Sequence, residues 1–373
     1  MNILVTGARS LAALEVIRNF GFYGNTLYAA DSVKNPICKY SKFLKKYFFV
    51  ASSKFDEKRY ISQIVGIVND FSIDVLFPIC EEIFYISKNK SIFEKLCPNL
   101  KILADDFDKL KLLHNKFEFY KLSQNLGIPA AKSIFVSSKT DLDEFIKENG
   151  EVILRPIFSR FGTSALKIHD SVQIKEDFIN QNLIASKFIS DGKLVCYYCF
   201  CENGKIKFDI SYSSPLESSV NACTIFEIFK NDDKIRKYAE KIIKFLNLSG
   251  NISFDFIHSR GEFYIIECNP RITSGIHMFA KNNFEEMFFK NISSEKVVKI
   301  SSQIFILNIL DFKNYNFKFL NKVFLLKDVL FCRSDLKPFF AVPMFVFEIL
   351  KISAKESVSL IEATTYDINW NGE

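Results

Sequence analysis

The chain has 373 residues, which is enough for two or three domains with hydrophobic cores of their own. Charged residues make up 25% and hydrophobic residues 48% of the sequence, which is normal for a soluble globular protein. The net charge of +6 comes from interspersed acids and bases, a balance too mild to indicate nucleic-acid binding but favourable to small anions.

No segment of the sequence predicts secretion or membrane insertion. The chain enters a predicted strand and a glycine turn at once, so we expect no signal peptide. The most apolar run, 338–347, is too short to span a bilayer and contains Pro343. The nine cysteines are scattered, and the cluster at Cys196, Cys199 and Cys201 lacks the second half of a zinc site. We therefore expect free, buried cysteines and a cytoplasmic protein.

The first hundred residues alternate between predicted strands and helices. Short apolar strands are predicted at 2–6, 26–30 and 74–78, with amphipathic helices between them. This order is typical of an open parallel α/β sheet, in which the carboxyl ends of the strands meet at one edge and bind ligands there.

The glycine turn after the first strand also allows a nicotinamide-binding hypothesis. Asp31 follows Gly7 at about the distance of the acid that binds a ribose hydroxyl in such sites. Arg9 and Ala12, however, replace the second and third glycines of the motif, and Arg9 would crowd a pyrophosphate. We therefore favour a different small molecule at this edge, or a domain that only supports its neighbour.

Beyond about residue 110 the predicted elements follow an α+β order. A helix over 110–126 is predicted because Gly127 and Pro129 form the usual stop signal, and this helix carries Lys116. A buried strand over 151–154 follows and leads into Arg155.

An arginine at a strand end can serve two purposes. Its rigid, permanently charged guanidinium suits phosphate oxygens, and the hydroxyls of Ser159 and Thr163 in the following turn can add to such a site. The alternative is that Arg155 pairs with a carboxylate to close the strand end, a common arrangement that contributes little energy.

The most informative pattern is a predicted hairpin with the three-residue loop 259–261. Alternation along its second strand places Glu267 and Asn269 on one face. With this loop Asp255 lies opposite Ile265, on the face of Glu267 and diagonal to it. Two carboxylates and an amide oxygen in one patch suit Mg²⁺. The alternative is an ordinary hairpin with one solvated polar face.

In this order and spacing, the motifs resemble the ATP-grasp superfamily of carboxylate–amine ligases, in particular the branch with a carbamoyl-phosphate-synthetase-like ATP module. The motifs that carry the resemblance are Glu267-Cys268-Asn269-Pro270-Arg271 with Ser274-Gly275-Ile276-His277, the Arg155-Pro156 segment, and Asn115-Lys116-Phe117 before Gly127-Ile128-Pro129. The resemblance implies an open parallel pre-ATP-grasp domain at 1–110, the two ATP-grasp lobes at 111–185 and 186–300, and a C-terminal extension packed on the core at 301–373.

The resemblance also implies roles for individual residues. They comprise catalytic Arg271 and Arg155, nucleotide contacts by Lys116, Arg155, Ser159, Thr163, Lys187, Phe188 and Ile189, and Mg²⁺ ligands Asp255, Glu267 and Asn269. The implied reaction forms an amide through an acyl phosphate, with ATP and Mg²⁺ as cofactors. Its substrates are a small-molecule carboxylate and an amine, such as amino acids. Nucleic-acid and membrane partners are not expected, and a homodimer is compatible with the family.

The sequence departs from the family at the nucleotide end of the site. Gly162 is the only glycine between Phe158 and Lys167 in the phosphate loop. The segment 192–194 stands where a glutamate usually holds the ribose. An ATP-binding protein with reduced or altered activity is therefore an alternative. His277, close to the carboxylate end, is expected to be packed in the core rather than bound to substrate.

Overall fold

In a computed structural model, the described residues are 1–160, 165–172, 174, 182–213, 225–230, 233–279, 282–290, 299–300 and 328–372. The strands are β1 (Asn2–Thr6), β2 (Thr26–Asp31), β3 (Leu44–Phe49), β4 (Val75–Phe77), β5 (Lys101–Ile102), β6 (Ser133–Val136), β7 (Val152–Pro156), β8 (Leu166–Ile168), β9 (Leu183–Lys187), β10 (Lys193–Glu202), β11 (Lys205–Ser213), β12 (Ile225–Ile228), β13 (Gly250–Ser259), β14 (Glu262–Asn269) and β15 (Lys299–Ile300). The helices are α1 (Leu11–Phe22), α2 (Glu57–Asp70), α3 (Glu82–Lys88), α4 (Lys90–Leu96), α5 (Phe107–His114), α6 (Lys116–Asn125), α7 (Lys139–Asn149), α8 (Asp233–Phe245), α9 (Phe284–Phe289), α10 (Lys337–Phe340), α11 (Val342–Glu356) and α12 (Leu360–Ala363). Short 3₁₀ helices lie at Ile37–Tyr40 and Ser274–Phe279.

The N-terminal sheet is parallel, with the strand order β3-β2-β1-β4-β5. Its central strands are short apolar runs buried along almost their whole length, because helices cover both faces of such a sheet. The predicted open parallel α/β architecture is therefore confirmed. The edge strand β3 was not predicted, since Leu-Lys-Lys-Tyr-Phe-Phe is partly exposed and does not alternate cleanly.

Two antiparallel sheets follow in the chain, which confirms the predicted change to α+β order. The first has the strand order β6-β9-β7-β8, and the second has the order β14-β13-β10-β11-β12-β15. Helix α8 packs on the second sheet through Ile235, Ala239, Ile242 and Ile243, a spacing of three to four residues that forms one apolar face. Among the described residues, no helix has both the length and the apolar composition needed to cross a bilayer.

The single helix predicted over 110–126 is wrong, because the chain breaks at Asn115 into α5 and α6. Asn115 adopts an extended conformation (φ −70°, ψ 107°), and its side-chain oxygen accepts hydrogen bonds from the N–H groups of Phe117 and Glu118. Asparagine is a preferred helix N-cap for this reason. The break makes Lys116 the first residue of α6 and brings its Nζ to 2.9 Å from the carbonyl oxygen of Ser159.

The glycine turn after β1 is occupied by the protein's own side chains. Arg9 Nε donates to Asp31 Oδ1 at 3.0 Å, and Arg9 Nη2 donates to Asp367 Oδ2 at 3.1 Å. A Cβ at Gly7 would lie 2.9 Å from Glu82 Oε1. Because Asp31 is engaged by Arg9, this edge of the sheet fits the supporting role better than a ribose site.

His277 is packed, as expected from the sequence. Its side chain is buried in the 3₁₀ helix that follows Arg271, and its Nδ1 lies 2.9 Å from Glu15 Oε2 on α1. This contact joins the C-terminal end of the hairpin region to the N-terminal domain, which is a structural role.

Candidate active site

The hairpin of β13 and β14 has a different register from the predicted one. Ser259 pairs with Glu262, so the loop has two residues, Arg260 (φ 51°) and Gly261 (φ 78°), as in a type I′ turn. A β-bulge between Asp255 and Phe256 then shifts the pairing by one residue. Together the turn and the bulge place Asp255 directly opposite Glu267, not diagonal to it.

The three predicted metal ligands lie together on this patch. Asn269 Nδ2 donates to Asp255 Oδ2 at 3.0 Å, and Asp255 and Glu267 face each other across the two strands. The neighbouring Cys268 points the other way and is buried, as strand alternation requires. The Glu267 side chain keeps 25% of its surface exposed, so the patch opens to solvent.

The electrostatics of the patch differ between its two acids. Burial and the nearby Glu267 carboxylate raise the pKa of Asp255 to about 7. Burial also acts on Glu267, but the cations Lys116 and Arg155 outweigh it and lower the pKa of that carboxyl. Burial lowers the pKa of Lys116 to about 8, with Glu267 opposing the shift. The two carboxylates therefore oppose each other's ionisation, and a cation bound between them would relieve that repulsion.

Arg155 and Lys116 lie against the same carboxylate. Arg155 Nη1 is 3.0 Å from Glu267 Oε2, and Arg155 Nη2 donates to the carbonyl oxygen of Ile266 at 3.0 Å. Lys116 Nζ lies 3.9 Å from Glu267 Oε2. The sequence-based alternative, an arginine paired with a carboxylate, thus describes the geometry correctly. The carboxylate it pairs with is the predicted metal ligand.

Arg271 extends the cluster towards the N-terminal sheet. Its Nη2 donates to Asn269 Oδ1 at 3.1 Å, and its Nε lies 3.9 Å from Glu81 Oε1. Glu81 and Arg160, which pair at 2.8 Å, were not predicted as site residues. A signal was present, because two adjacent acids, Glu81 and Glu82, follow the end of a buried strand.

A narrow cleft lies between β9 of the four-stranded sheet and β14 of the six-stranded sheet. It is lined by Lys116, Phe119, Tyr120, Ala131, Ser133, Arg155, Ile184, Ser186, Ile265 and Ile266. The lining combines two cations, Lys116 and Arg155, with apolar and hydroxyl-bearing side chains. The lining residues Tyr120 and Ile265 were not predicted, since single apolar residues carry no signal in the sequence.

The predicted adenine-lining residues follow Ser186 in the chain, but none of the three is among the residues that line this cleft. The side chain of Lys187 is exposed. The backbone N–H of Lys187 donates to the carbonyl oxygen of Lys132 at 2.8 Å. The N–H of Phe188 donates to Glu151, and its ring is covered by Lys167 Nζ at 3.9 Å. Ile189 is partly exposed.

The predicted phosphate loop begins at Ser159, whose Oγ donates to the carbonyl oxygen of Pro156 at 3.3 Å. Lys116 Nζ donates a hydrogen bond to the carbonyl oxygen of Ser159, which fixes the lysine side chain against the start of the loop. Thr163 lies outside the described residues.

The donor set of the patch suits Mg²⁺ rather than a softer metal. In the part of the chain that the structure describes, no group of three or more His, Cys, Asp or Glu side chains is placed to hold a metal ion. Two carboxylates and an amide oxygen form a smaller set. Mg²⁺ characteristically binds through one or two carboxylates and completes its shell with water and substrate phosphates, so the residues present fit it.

Comparisons with known proteins bear on the family and the fold. A family model described as an ATP-grasp domain matches residues 113–275. The carbamoyl phosphate synthase large chain of Clostridium acetobutylicum is 24% identical over 214 residues, covering 51% of this chain and 19% of that protein. An uncharacterized protein of Methanocaldococcus jannaschii is 25% identical over 310 residues, covering 80% of this chain and 76% of the relative. The chain spans only 10% and 19% of the length of the first two curated relatives it matches.

A solved structure shows the same fold. N5-carboxyaminoimidazole synthetase from Staphylococcus aureus, crystallised with ADP, superimposes with a TM-score of 0.62 at 15% identity. The superposition covers 80% of this chain and 79% of that chain. Residues 113–275 of this chain are therefore similar to an ATP-grasp domain, and the chain has the fold of this solved structure.

Proposed function

We propose that this protein is an ATP-dependent carboxylate–amine ligase that forms an amide through an acyl phosphate and releases ADP and phosphate. One observation carries the proposal. Arg155 on β7 and Glu267 on β14, which belong to different sheets, meet at 3.0 Å beside the cleft that Arg155 and Lys116 line. Solved relatives of this fold bind adenine nucleotides, and one was crystallised with ADP.

The cationic side chains of the site would bind the anionic groups of ATP and of the carboxylate substrate. Lys116 and Arg155 would hold phosphate oxygens of ATP at the end of the cleft, and Arg271 would face the γ-phosphate and the carboxylate substrate. A carboxylate oxygen attacks the γ-phosphorus and ADP leaves. The amine nitrogen then attacks the acyl carbon, and phosphate leaves as the nitrogen loses a proton. Such transfers depend on positioning and electrostatics more than on side-chain acid–base chemistry.

Asp255, Glu267 and Asn269 would hold Mg²⁺, since Asp255 lies directly opposite Glu267 across the hairpin and Asn269 contacts Asp255. Bound there, Mg²⁺ would offset the charge of the phosphates. The high pKa of Asp255, about 7, supports this assignment because burial and Glu267 both oppose its ionisation. A nearby cation would favour the ionised form.

A second candidate is an ATP-binding protein with reduced activity. The observation that favours it is the phosphate loop, in which Gly162 alone supplies glycine between Phe158 and Lys167. A nicotinamide-dependent activity is less favoured, because Asp31 is bound by Arg9 rather than open to a ribose.

The direct test is to measure Mg²⁺-dependent ADP release across a panel of carboxylates, each with a panel of amines. A ligase releases ADP through many turnovers only when both substrates of a productive pair are present, because the acyl phosphate formed from the carboxylate needs the amine to react further. MgADP binding without ADP release on any pair supports the reduced-activity alternative. Absence of MgATP and MgADP binding, with stabilisation by NADH, would contradict both and favour the nicotinamide alternative.

A further inference from the structure

Glu81 is a fully buried carboxylate with two arginine partners that come from distant parts of the chain. Its Oε1 lies 2.8 Å from Arg160 Nε and 3.9 Å from Arg271 Nε, and its side chain has no exposed surface. A buried carboxylate is costly unless charged partners compensate it, and two arginines close together repel unless an anion lies between them. Glu81 therefore supplies the negative charge that both guanidinium groups share.

The other oxygen of Glu81 is held by the C-terminal segment, residues 364–372. The backbone N–H of Trp370 donates to Glu81 Oε2 at 3.0 Å. The indole ring of Trp370 is almost completely buried. It packs against Phe84 at 4.8 Å, Phe158 at 5.0 Å, Phe107 at 5.5 Å and His114 at 6.2 Å between ring centroids.

The same segment contacts the first hundred residues of the chain at several points. Asp367 pairs with Arg9, and the carbonyl oxygen of Asn369 accepts a hydrogen bond from Tyr85 Oη at 2.9 Å. Lys54 Nζ donates to the side-chain oxygen of Asn369 at 2.7 Å. The position of the Trp370 N–H is thus set by contacts on both sides of it.

The segment also touches the start of the phosphate loop. Phe158 lies two residues before Arg160, and its ring packs edge-on against Trp370. A Cβ at Gly372 would lie 2.5 Å from Cε2 of Phe158, so the chain end fits closely against this ring. The C-terminal segment therefore contacts both the carboxylate that holds the arginines and the loop that carries one of them.

We propose that Glu81 is a positioning residue for Arg160 and Arg271, and that the C-terminal segment holds Glu81 through the N–H of Trp370. The inference rests on the proposed function, in which Arg271 faces the γ-phosphate of ATP. It adds that residues 364–372 contribute to nucleotide binding and do not only pack against the rest of the structure.

If Glu81 positions the two arginines, replacing it should weaken binding of ATP more than binding of ADP. Glu81→Gln should weaken binding of MgATP, measured with a non-hydrolysable analogue, by about tenfold, the scale expected when a charged hydrogen bond is lost. MgADP lacks the γ-phosphate, so its Kd should change less than about twofold. Glu81→Asp keeps the charge and should recover part of the loss. A merely structural residue would weaken both nucleotides equally, and that outcome overturns the proposal.

The role of the C-terminal segment is tested with two variants of Trp370. Trp370→Ala removes the ring and keeps the N–H, whereas Trp370→Pro removes the ring and the N–H. Trp370→Pro should reproduce the selective loss for the ATP analogue beyond any effect of Trp370→Ala. Equal effects of the two variants would overturn the role of the N–H. If Glu81→Gln does not fold, Glu81→Asp and the Trp370 pair still decide the question.

Calorimetry on the wild-type full chain separates this inference from the proposed function. If wild type binds neither MgADP nor the ATP analogue, the proposed function fails and the inference fails with it. If wild type binds both nucleotides and the Glu81 and Trp370 variants keep the same ratio of the two Kd values, only the inference fails.

Discussion

Arg155 and Glu267 form an ion pair between two sheets, with Arg155 Nη1 at 3.0 Å from Glu267 Oε2. The side chains keep only 12% and 25% of their surface exposed, so both ions lose much of their hydration. A largely buried ion pair is weak evidence for stability, because this loss offsets the attraction between the charges. Its position at the mouth of a cleft, beside Lys116 and opposite Asp255, is better explained by a site that binds phosphates and a cation.

The first prediction concerns the charge of Glu267. Glu267→Gln should lower ATP turnover by on the order of a hundredfold or more, because it removes one of two carboxylates that would hold the cation. The protein should stay folded, since the side chain is partly exposed. Phosphate release and a circular-dichroism melt measure the two effects.

A matched control is Glu262→Gln, at the other end of the same strand, where the carboxylate lies near Lys234 at 3.4 Å. This variant should keep wild-type turnover. Wild-type phosphate release from Glu267→Gln would contradict the site assignment.

The second prediction concerns the geometry of Arg155. Its fork contacts the Glu267 carboxylate and the Ile266 carbonyl oxygen at once, which a lysine ammonium cannot reproduce. Arg155→Lys should therefore weaken MgADP binding, and Arg155→Ala should weaken it by roughly ten- to a hundredfold, as for lost charged hydrogen bonds. Calorimetric titration measures both. Arg260→Asn removes an exposed arginine from the hairpin turn at a positive φ that asparagine tolerates, and it should bind MgADP normally.

The third prediction compares two glycines. A Cβ at Gly275, four residues after Arg271, would lie 2.4 Å from Cβ of the buried Tyr198. Gly275→Ala should therefore destabilise the protein by about 1–3 kcal/mol through overpacking. Gly66, in the middle of α2, has no atom within 4 Å of such a Cβ. Gly66→Ala should stabilise by about 0.5–1 kcal/mol, because alanine is the better helix former. Urea unfolding of both variants checks the opposite signs.

The fourth prediction concerns pH and Glu82. Burial raises the pKa of Glu82, although Thr6 Oγ1 and the N–H groups of Ile79 and Cys80 donate to its Oε1. A carboxyl with a raised pKa in the folded state contributes stability that is fully present below its unfolded pKa. That stability is lost as the pH rises through the folded pKa.

Glu82→Gln keeps an oxygen acceptor and cannot ionise. Its stability relative to wild type should therefore improve as the pH rises from 5 to 8. Urea unfolding at several pH values measures the difference, with the exposed Glu94→Gln as a control that should show no such trend. A difference that stays constant with pH would show that Glu82 is ionised in the folded state throughout this range.

Much of the site follows from local rules. Alternation on β14 put Glu267 and Asn269 on one face and Cys268 on the other, and the arginine after a buried strand marked the phosphate end. The register of the hairpin could not be predicted in the same way. The two-residue turn and the bulge beside Asp255 depend on how the strands pair, and the two together moved Asp255 directly opposite Glu267.

The sequence by itself determined the strand faces, the order of the charged motifs and the resemblance to ATP-grasp ligases, because these depend on neighbours within a few residues. Tertiary structure alone decided the partners of Glu81. This acid follows a buried strand, yet it meets Arg160, Arg271 and the Trp370 N–H, which come from three other segments. Contacts at such separations depend on how sheets and the chain end pack together, and no local pattern of residues encodes that packing.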